Sequence, residues 1–276
     1  MLTPSKLQST TPYALDPISI EDGIPVFSRP DDYQENYARI ANDHLAYLAS
    51  NGENPFIPER LWNEIEESTV RLLRKYTKDG DRILDAGVGL GRLLSHVPSL
   101  QRYGVDISAD YLQRARNKGI DVALAKIEDL PYCADFFDAI TCTDVFEHVL
   151  DLNLCVGKLL NVLKPGGILL VRVPYKEDLA PYTKRDYPYN FAHLRNFDEH
   201  SLTLYFTKVF RAEVVKWSTA GQWPTIDRLE HGHFAPTRLA LRVLAKGLRA
   251  HSGLRNSWLA RWLFLPVEIN FLVRKP

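Results

Sequence analysis

Two groups of residues in this chain have the types and spacing to do chemistry. The first is Asp85-Ala86-Gly87-Val88-Gly89-Leu90-Gly91, an acid followed by glycines at alternate positions. Backbone without side chains lets a ligand approach closely. The acid favours a cationic ligand over a diphosphate, which prefers uncharged amides at a helix N-terminus. The second is Asp144-Val145-Phe146-Glu147-His148, with His193 further along. Imidazole titrates near neutral pH, so His148 is the first candidate for a general base, with Glu147 and His193 behind it. Two carboxylates and two imidazoles can also bind a divalent metal. A third reading gives the histidine only a packing role.

The elements that must position these groups follow from periodicity. Ile83 and Leu84 end a strand at Asp85, and Leu90, Leu93 and Leu94 start a helix after the glycines. The loop is G-x-G-x-G, with Arg92 where a dinucleotide loop has its last glycine. That, and the lack of a Tyr-x-x-x-Lys pair near the fifth strand, disfavours a nicotinamide oxidoreductase. A second apolar run ends in Asp106, about twenty residues after the first acid, the offset of a carboxylate that binds a ribose diol. Ser108 is left to cap the helix 109–118. A third strand spans 121–125 and a fourth 136–143, so the acid–histidine group lies just past a strand's carboxyl end, where open α/β sheets bind ligands. After a helix over 151–163, the apolar run 168–173 suits a strand buried on both faces.

The Asp85-x-Gly87-x-Gly89-x-Gly91 loop and the Leu163-Lys164-Pro165-Gly166-Gly167 phrase resemble class I S-adenosylmethionine-dependent methyltransferases, over roughly 81–217. The resemblance implies an α/β, Rossmann-like fold: a seven-stranded, mostly parallel sheet with helices on both faces and an antiparallel final strand. It also implies S-adenosyl-L-methionine as cofactor, a ligand with an amino group, a sulfonium and no phosphate. Its expected contacts are Asp85, Gly87, Gly89, Gly91, Asp106, Ile107, Ile127, Glu128 and Thr143. The stretch from Lys126 to Pro131 resembles the family's adenine-edging segment, with Lys126 where an Asp is common, so that contact falls to Glu128, Asp129 or the backbone. Asp144-x-x-Glu147-His148 with His193 resembles the metal-holding E-x-x-E-H and later His of ubiquinone-pathway O-methyltransferases and small-RNA 2′-O-methyltransferases. Asp144 is shorter than the Glu of that pattern, and Glu-His-Val also follows the fourth strand in members that need no metal.

The resemblance implies methyl transfer, with oxygen the expected acceptor atom since no Asn-Pro-Pro-Tyr phrase for amide methylation follows the fourth strand. The aromatic connection with the basic, tryptophan-bearing insertion favours a glycan or lipid-linked small-molecule acceptor. Metal-assisted methylation of a quinone or phenol, and a silent cofactor-binding scaffold, are the alternatives. The connection 174–196 holds Tyr175, Tyr182, Tyr187, Tyr189 and Phe191, suited to walling an acceptor site or to covering the sheet.

The chain divides into an N-terminal arm and helices (1–80), the cofactor-binding core (81–217), a helical insertion (218–265) and a final strand (266–276). Residues up to about 30 read as a poorly ordered lead. A helix begins at Asp31 or Asp32 and stops at Asn51-Gly52; a second runs from Pro58 to Asp79-Gly80. In the insertion, Arg238, Arg242, Lys246 and Arg249 recur at helical spacing opposite Leu239, Val243, Leu244 and Leu248. This suits peripheral contact of 234–265 with an anionic membrane surface, or a cap on the sheet edge with a solvated basic face. With 34 basic and 34 acidic residues no field favours a polyanion, so nucleic acid is not the expected partner. Three cysteines without a C-x-x-C pair suit a reducing cytoplasm, and no signal-peptide pattern is visible. The most apolar stretch, 258–273, is interrupted by Arg261, Pro266 and Glu268, so the expected location is cytoplasmic, at most peripheral to the membrane's inner face.

Overall fold

The computed structural model describes residues 11–52, 54–224 and 264–276. Residues 13–27 are built into the sheet, contrary to the expectation of a poorly ordered lead there; 1–10 lie outside the described residues. Ser19–Glu21 (β1) and Ile24–Val26 (β2) pair antiparallel. Asp22 and Gly23, at φ 47° and 76°, make the turn between them. A two-residue hairpin loop needs positive φ at both positions, which Asp-Gly supplies. Val26 pairs with Leu124 and Tyr13 bridges to Tyr132, which buries Ile24, Val26 and Phe27.

Helix α1 (Asp32–Asn51) is capped by Asp31, whose side chain accepts from the Gln34 amide, and ends at Gly52 in the left-handed region. Helix α2 (Glu59–Tyr76) stops at Thr77, before Asp79-Gly80. Strands and helices then alternate: β3 (Arg82–Ala86), α3 (Arg92–Ser95), β4 (Gln101–Asp106), α4 (Ala109–Arg116), β5 (Asp121–Leu124), β6 (Phe137–Thr143), α5 (Leu152–Val162), β7 (Leu163–Pro174), α6 (Glu199–Leu204), β8 (Glu213–Pro224) and β9 (Phe264–Arg274). The helix after the glycine loop is a single turn. Ser108 and Asp198 cap α4 and α6 with their side chains.

Among the described residues the sheet has nine strands, in the order β1-β2-β5-β4-β3-β6-β7-β9-β8. The seven from β5 to β8 are the ones expected; the hairpin adds two. β3 to β7 run parallel, and β9 is antiparallel to both neighbours. β8 and β9 stay paired out to Pro224 and Phe264, so 218–224 and 264–265 belong to the sheet and not to a helical insertion. Packing explains it: Ala220 lies against Leu61 and Ile65 of α2, and a Cβ on Gly221 would stand 2.7 Å from Ile65 Cγ1. The basic helical pattern at Arg238, Arg242, Lys246 and Arg249 lies outside the described residues.

The pleat sends alternate side chains to opposite faces. Leu84, Ile140, Leu169, Val171 and Phe271 pack with Val156, Leu159, Leu202 and Phe206 on one side. Ile83, Ala139, Ile168, Leu170 and Leu272 pack with Leu72, Leu73 and Leu112 on the other. Each such side chain contributes about 1.5–3 kcal/mol on burial, so the strand ends above this core are rigid platforms. No helix among the described residues is long and apolar enough to cross a membrane.

Candidate active site

A cavity of about 490 Å³ lies over the carboxyl ends of β3, β4, β6 and β7, with α1 and α2 along its walls. Asp85, Gly87, Gly89, Asp106, Ile107, Ile127, Glu128 and Thr143 all line it. Gly91 does not: a Cβ there would meet Ile120 Cδ1 at 2.6 Å, so this glycine lets the loop pack on the α4 region.

The first part of the cavity is held by short-range bonds. Gly87 sits at φ 85°, and a Cβ on it would come within 2.3 Å of Val145 Cγ2, so only glycine lets the loop pass beneath the segment after β6. Asp106 accepts from the amides of Gly89 and Ser108, each at 2.9 Å. Burial raises its carboxyl above the usual range in spite of these bonds. An ionised carboxylate has lone pairs for further donors, so the ligand-facing role stays open to it. Asp85 is buried and accepts from Thr141 Oγ1 at 2.8 Å; burial pushes its carboxyl up to about 7. Arg92 reaches away from the loop to Glu59, Glu66 and Asn63 and lies over the Trp62 ring, tying α2 to the loop. Lys126 pairs with Asp31 at 2.5 Å.

The other part draws on distant elements. Glu147, His148 and His193 all line it, and one donor atom from each comes within 4.8 Å of the others. His148 Nδ1 faces Tyr37 Oη at 3.1 Å and the Ala192 carbonyl at 3.3 Å. Tyr37 donates to that same carbonyl, so the imidazole carries its proton on Nδ1 and keeps a lone pair on Nε2. The His148 side chain keeps 22 % of its surface, but it lies deep under α1; burial, then the neighbouring His193, pushes it down to about 3. Burial thus disfavours the charged form of the His148 imidazole. His193 Nδ1 lies 2.5 Å from Glu177 Oε2, and Tyr182 donates to Glu177 Oε1 at 2.7 Å. Glu177 thus orients His193 as Tyr37 orients His148, and the two rings meet edge to face at 4.6 Å.

Asp144 departs from the expected donor set. It sits at φ 57° and its carboxylate pairs with Arg172, so it does not join Glu147 and the histidines. Arg172 also donates to Thr69, which donates to Asn270, a buried chain joining β7, α2 and β9. Neither buried carboxylate oxygen of Glu147 has a hydrogen-bond partner, with His148 Nε2 3.8 Å from Oε1, and burial plus nearby Asp144 raise its carboxyl well above the usual range. Glu268 of β9 also lines the cavity, with Oε2 unpartnered and its carboxyl raised by the same two causes. Tyr37 and Arg172 carry no local sequence signal for these places, because their partners His148 and Thr69 lie far along the chain; Glu177 meets Tyr182 and His193 within its own connection, with no motif around it.

The methyltransferase domain model matches residues 84–171. A tRNA (carboxymethyluridine(34)-5-O)-methyltransferase of Arabidopsis thaliana is 36% identical over 110 residues, 38% of this chain and 27% of that protein. A ubiquinone/menaquinone biosynthesis C-methyltransferase of Vibrio parahaemolyticus is 34% identical over 140 residues, 44% of this chain and 54% of that protein. The chain thus spans about half or less of the length of these relatives. Among solved structures, phosphoethanolamine N-methyltransferase 2 of Haemonchus contortus in complex with S-adenosyl-L-methionine superposes with a TM-score of 0.57 at 19% identity, over 90% of this chain and 60% of that one. Residues 84–171 match a methyltransferase domain, and the chain has the fold of class I S-adenosylmethionine-dependent methyltransferases.

Proposed function

We propose that the chain is an S-adenosylmethionine-dependent methyltransferase acting on an oxygen of a small-molecule acceptor. The observation that supports this most is the single cavity that joins Asp85 and Asp106 at the strand ends to Glu147, His148 and His193. Methyl transfer from a sulfonium is an in-line displacement with an activated leaving group, so the protein must position the acceptor and take its proton. In this reading Asp85 receives the cofactor's amino group, Asp106 the ribose diol, and Ile127 and Glu128 edge the adenine. His193 is the base, with Glu177 fixing the proton on Nδ1 and leaving Nε2 for the acceptor hydroxyl. Neutral His148 stands beside it as a positioning group.

Tyr182, Tyr187 and Tyr189 line the cavity and suit the faces of a sugar or other ring, in keeping with a glycan or lipid-linked acceptor. The lipid-linked part rests only on the basic sequence within 225–263. The Arabidopsis relative is named for O-methylation, which favours oxygen, and for a tRNA. The tRNA substrate does not carry over well: the acidic end of this cavity repels phosphates, and the chain has no basic excess. Calorimetric titration with S-adenosylhomocysteine and NAD, then methyl transfer to a panel of hydroxylated acceptors, tests the reading. Tighter binding of NAD would overturn it.

A divalent metal on Glu147, His148 and His193 is the second reading, favoured by their convergence and by the free Nε2 lone pairs. Such an ion would polarise an acceptor oxygen, as on a quinone-derived phenol. Chelation would then abolish turnover, and Mg²⁺ or Zn²⁺ would restore it.

A further inference from the structure

Among the described residues, the acceptor end of the cavity has more acid than the cations on its wall neutralise. Asp144, Glu147 and Glu268 line the cavity, and Glu177 stands behind His193. Arg172 is engaged by Asp144 and Thr69, and Glu177 is engaged by His193 and Tyr182. The other cations on the cavity wall, Arg92 and Lys126, pair with Glu59, Glu66 and Asp31 elsewhere. This leaves Glu147 with two buried, unpartnered oxygens and Glu268 with one. Their side chains are almost fully enclosed: Glu147 is 1% exposed and Glu268 3%. A buried carboxylate is stable only when paired and hydrogen bonded. Tyr37 and Tyr182 line the same cavity as the two acids, and aromatic faces attract cations.

We infer that the acceptor is anchored by an organic cation, an ammonium group held between the carboxylates of Glu147 and Glu268 beside the rings of Tyr37 and Tyr182. The inference rests on the methyltransferase reading and names the class of its acceptor. An ammonium nitrogen has no lone pair, so the methyl goes to a neighbouring hydroxyl within reach of His193 and the cation serves as the handle. A metal ion on Glu147 and the histidines would leave Glu268 unsatisfied, because Glu268 is outside that donor group. A cation that spans both acids satisfies each.

Calorimetry on the full chain tests this with choline as the ammonium probe and 3,3-dimethylbutan-1-ol as its uncharged carbon isostere. Each is titrated with and without saturating S-adenosylhomocysteine, which brings no sulfonium of its own. Choline should bind roughly tenfold or more tightly than the isostere, and Glu268→Gln and Glu147→Gln should each weaken choline by a similar factor. Unchanged affinity of the variants for S-adenosylhomocysteine shows that they are folded. Equal binding of the isostere, no binding of choline, or choline affinity indifferent to Glu268→Gln overturns the inference. So does Mn²⁺ that binds through Glu147 and displaces choline. Failure of S-adenosylhomocysteine to bind would instead overturn the methyltransferase reading, while the choline titration of the ligand-free protein still reports on the two acids.

Discussion

The two ends of the cavity satisfy their acids in different ways. At the cofactor end, Asp85 and Asp106 are met by donors on adjacent strands or loops, Thr141, Gly89 and Ser108. At the acceptor end, neither oxygen of Glu147 has a hydrogen-bond donor, nor has Oε2 of Glu268, while the histidines are held by Tyr37 of α1 and by Glu177 of the connection after β7. The first end is finished without its ligand. The second leaves buried acid oxygens without donors among the described residues.

The largest effect that would break this contrast is on turnover. His193→Ala should lower the turnover number by on the order of 10²–10⁴ with S-adenosylhomocysteine affinity unchanged, and Glu177→Gln should shift the pH–rate profile without touching that affinity. Equal turnover in His193→Ala, with a true acceptor, would return the base to His148. Next comes Asp106→Ala, which should weaken S-adenosylhomocysteine by about 1–3 kcal/mol in calorimetry, the range for a lost charge-assisted hydrogen bond. Unchanged affinity would remove Asp106 from the ribose.

A third prediction concerns protons. Asp85 rests at about 7 in the free protein, and a cationic amino group favours its ionised form. Affinity for S-adenosylhomocysteine should therefore be full above pH 7 and fall by up to about tenfold per unit below it, with proton release seen in buffers of different ionisation enthalpy. The sign for stability is opposite. A carboxyl raised on folding stabilises the fold fully below its unfolded value, and that contribution is lost as pH rises through about 7. The thermal shift given by the ligand should therefore widen across neutrality; a constant shift would mean that Asp85 does not meet the amino group. The smallest effect is expected of Tyr37→Phe, which removes the hydroxyl between His148 and Ala192. It should cost about 0.5–1.5 kcal/mol in stability by denaturant titration.

The same contrast explains what was legible in the sequence. The glycine loop, Asp106, Ser108 and the alternation of strands and helices are encoded by neighbours, and the fold over 81–217 follows from them. The Asp22-Gly23 hairpin is also local, yet the prolines around it mask the signal. The long pairing of β8 with β9 depends on Ala220 and Gly221 fitting under α2, a contact that no periodicity carries. Glu147, His148 and His193 could be singled out by type and position. Glu268 could not, since it reaches the cavity from β9, and Glu177 has no motif around it although Tyr182 and His193 are near it in sequence. Nor does the motif show that Asp144, in the left-handed region, turns its carboxylate to Arg172.

The position of β9 also bears on how the molecule is made. β9 lies between β7 and β8 in the sheet but is synthesised after both, across the intervening 225–263. Until it arrives, β8 has no strand beside it, and the core seats of Ile269, Phe271, Leu272 and Val273, all fully buried, stand empty. A ribosome-bound chain that ends before 264 can already hold the glycine loop and Asp106, but it lacks the strand that brings in Glu268 and closes the sheet. Pairings this far apart in sequence form late and slowly. The nascent chain therefore gains its cofactor end before its acceptor end, and the exposed edge of β7 is a natural point for chaperone capture.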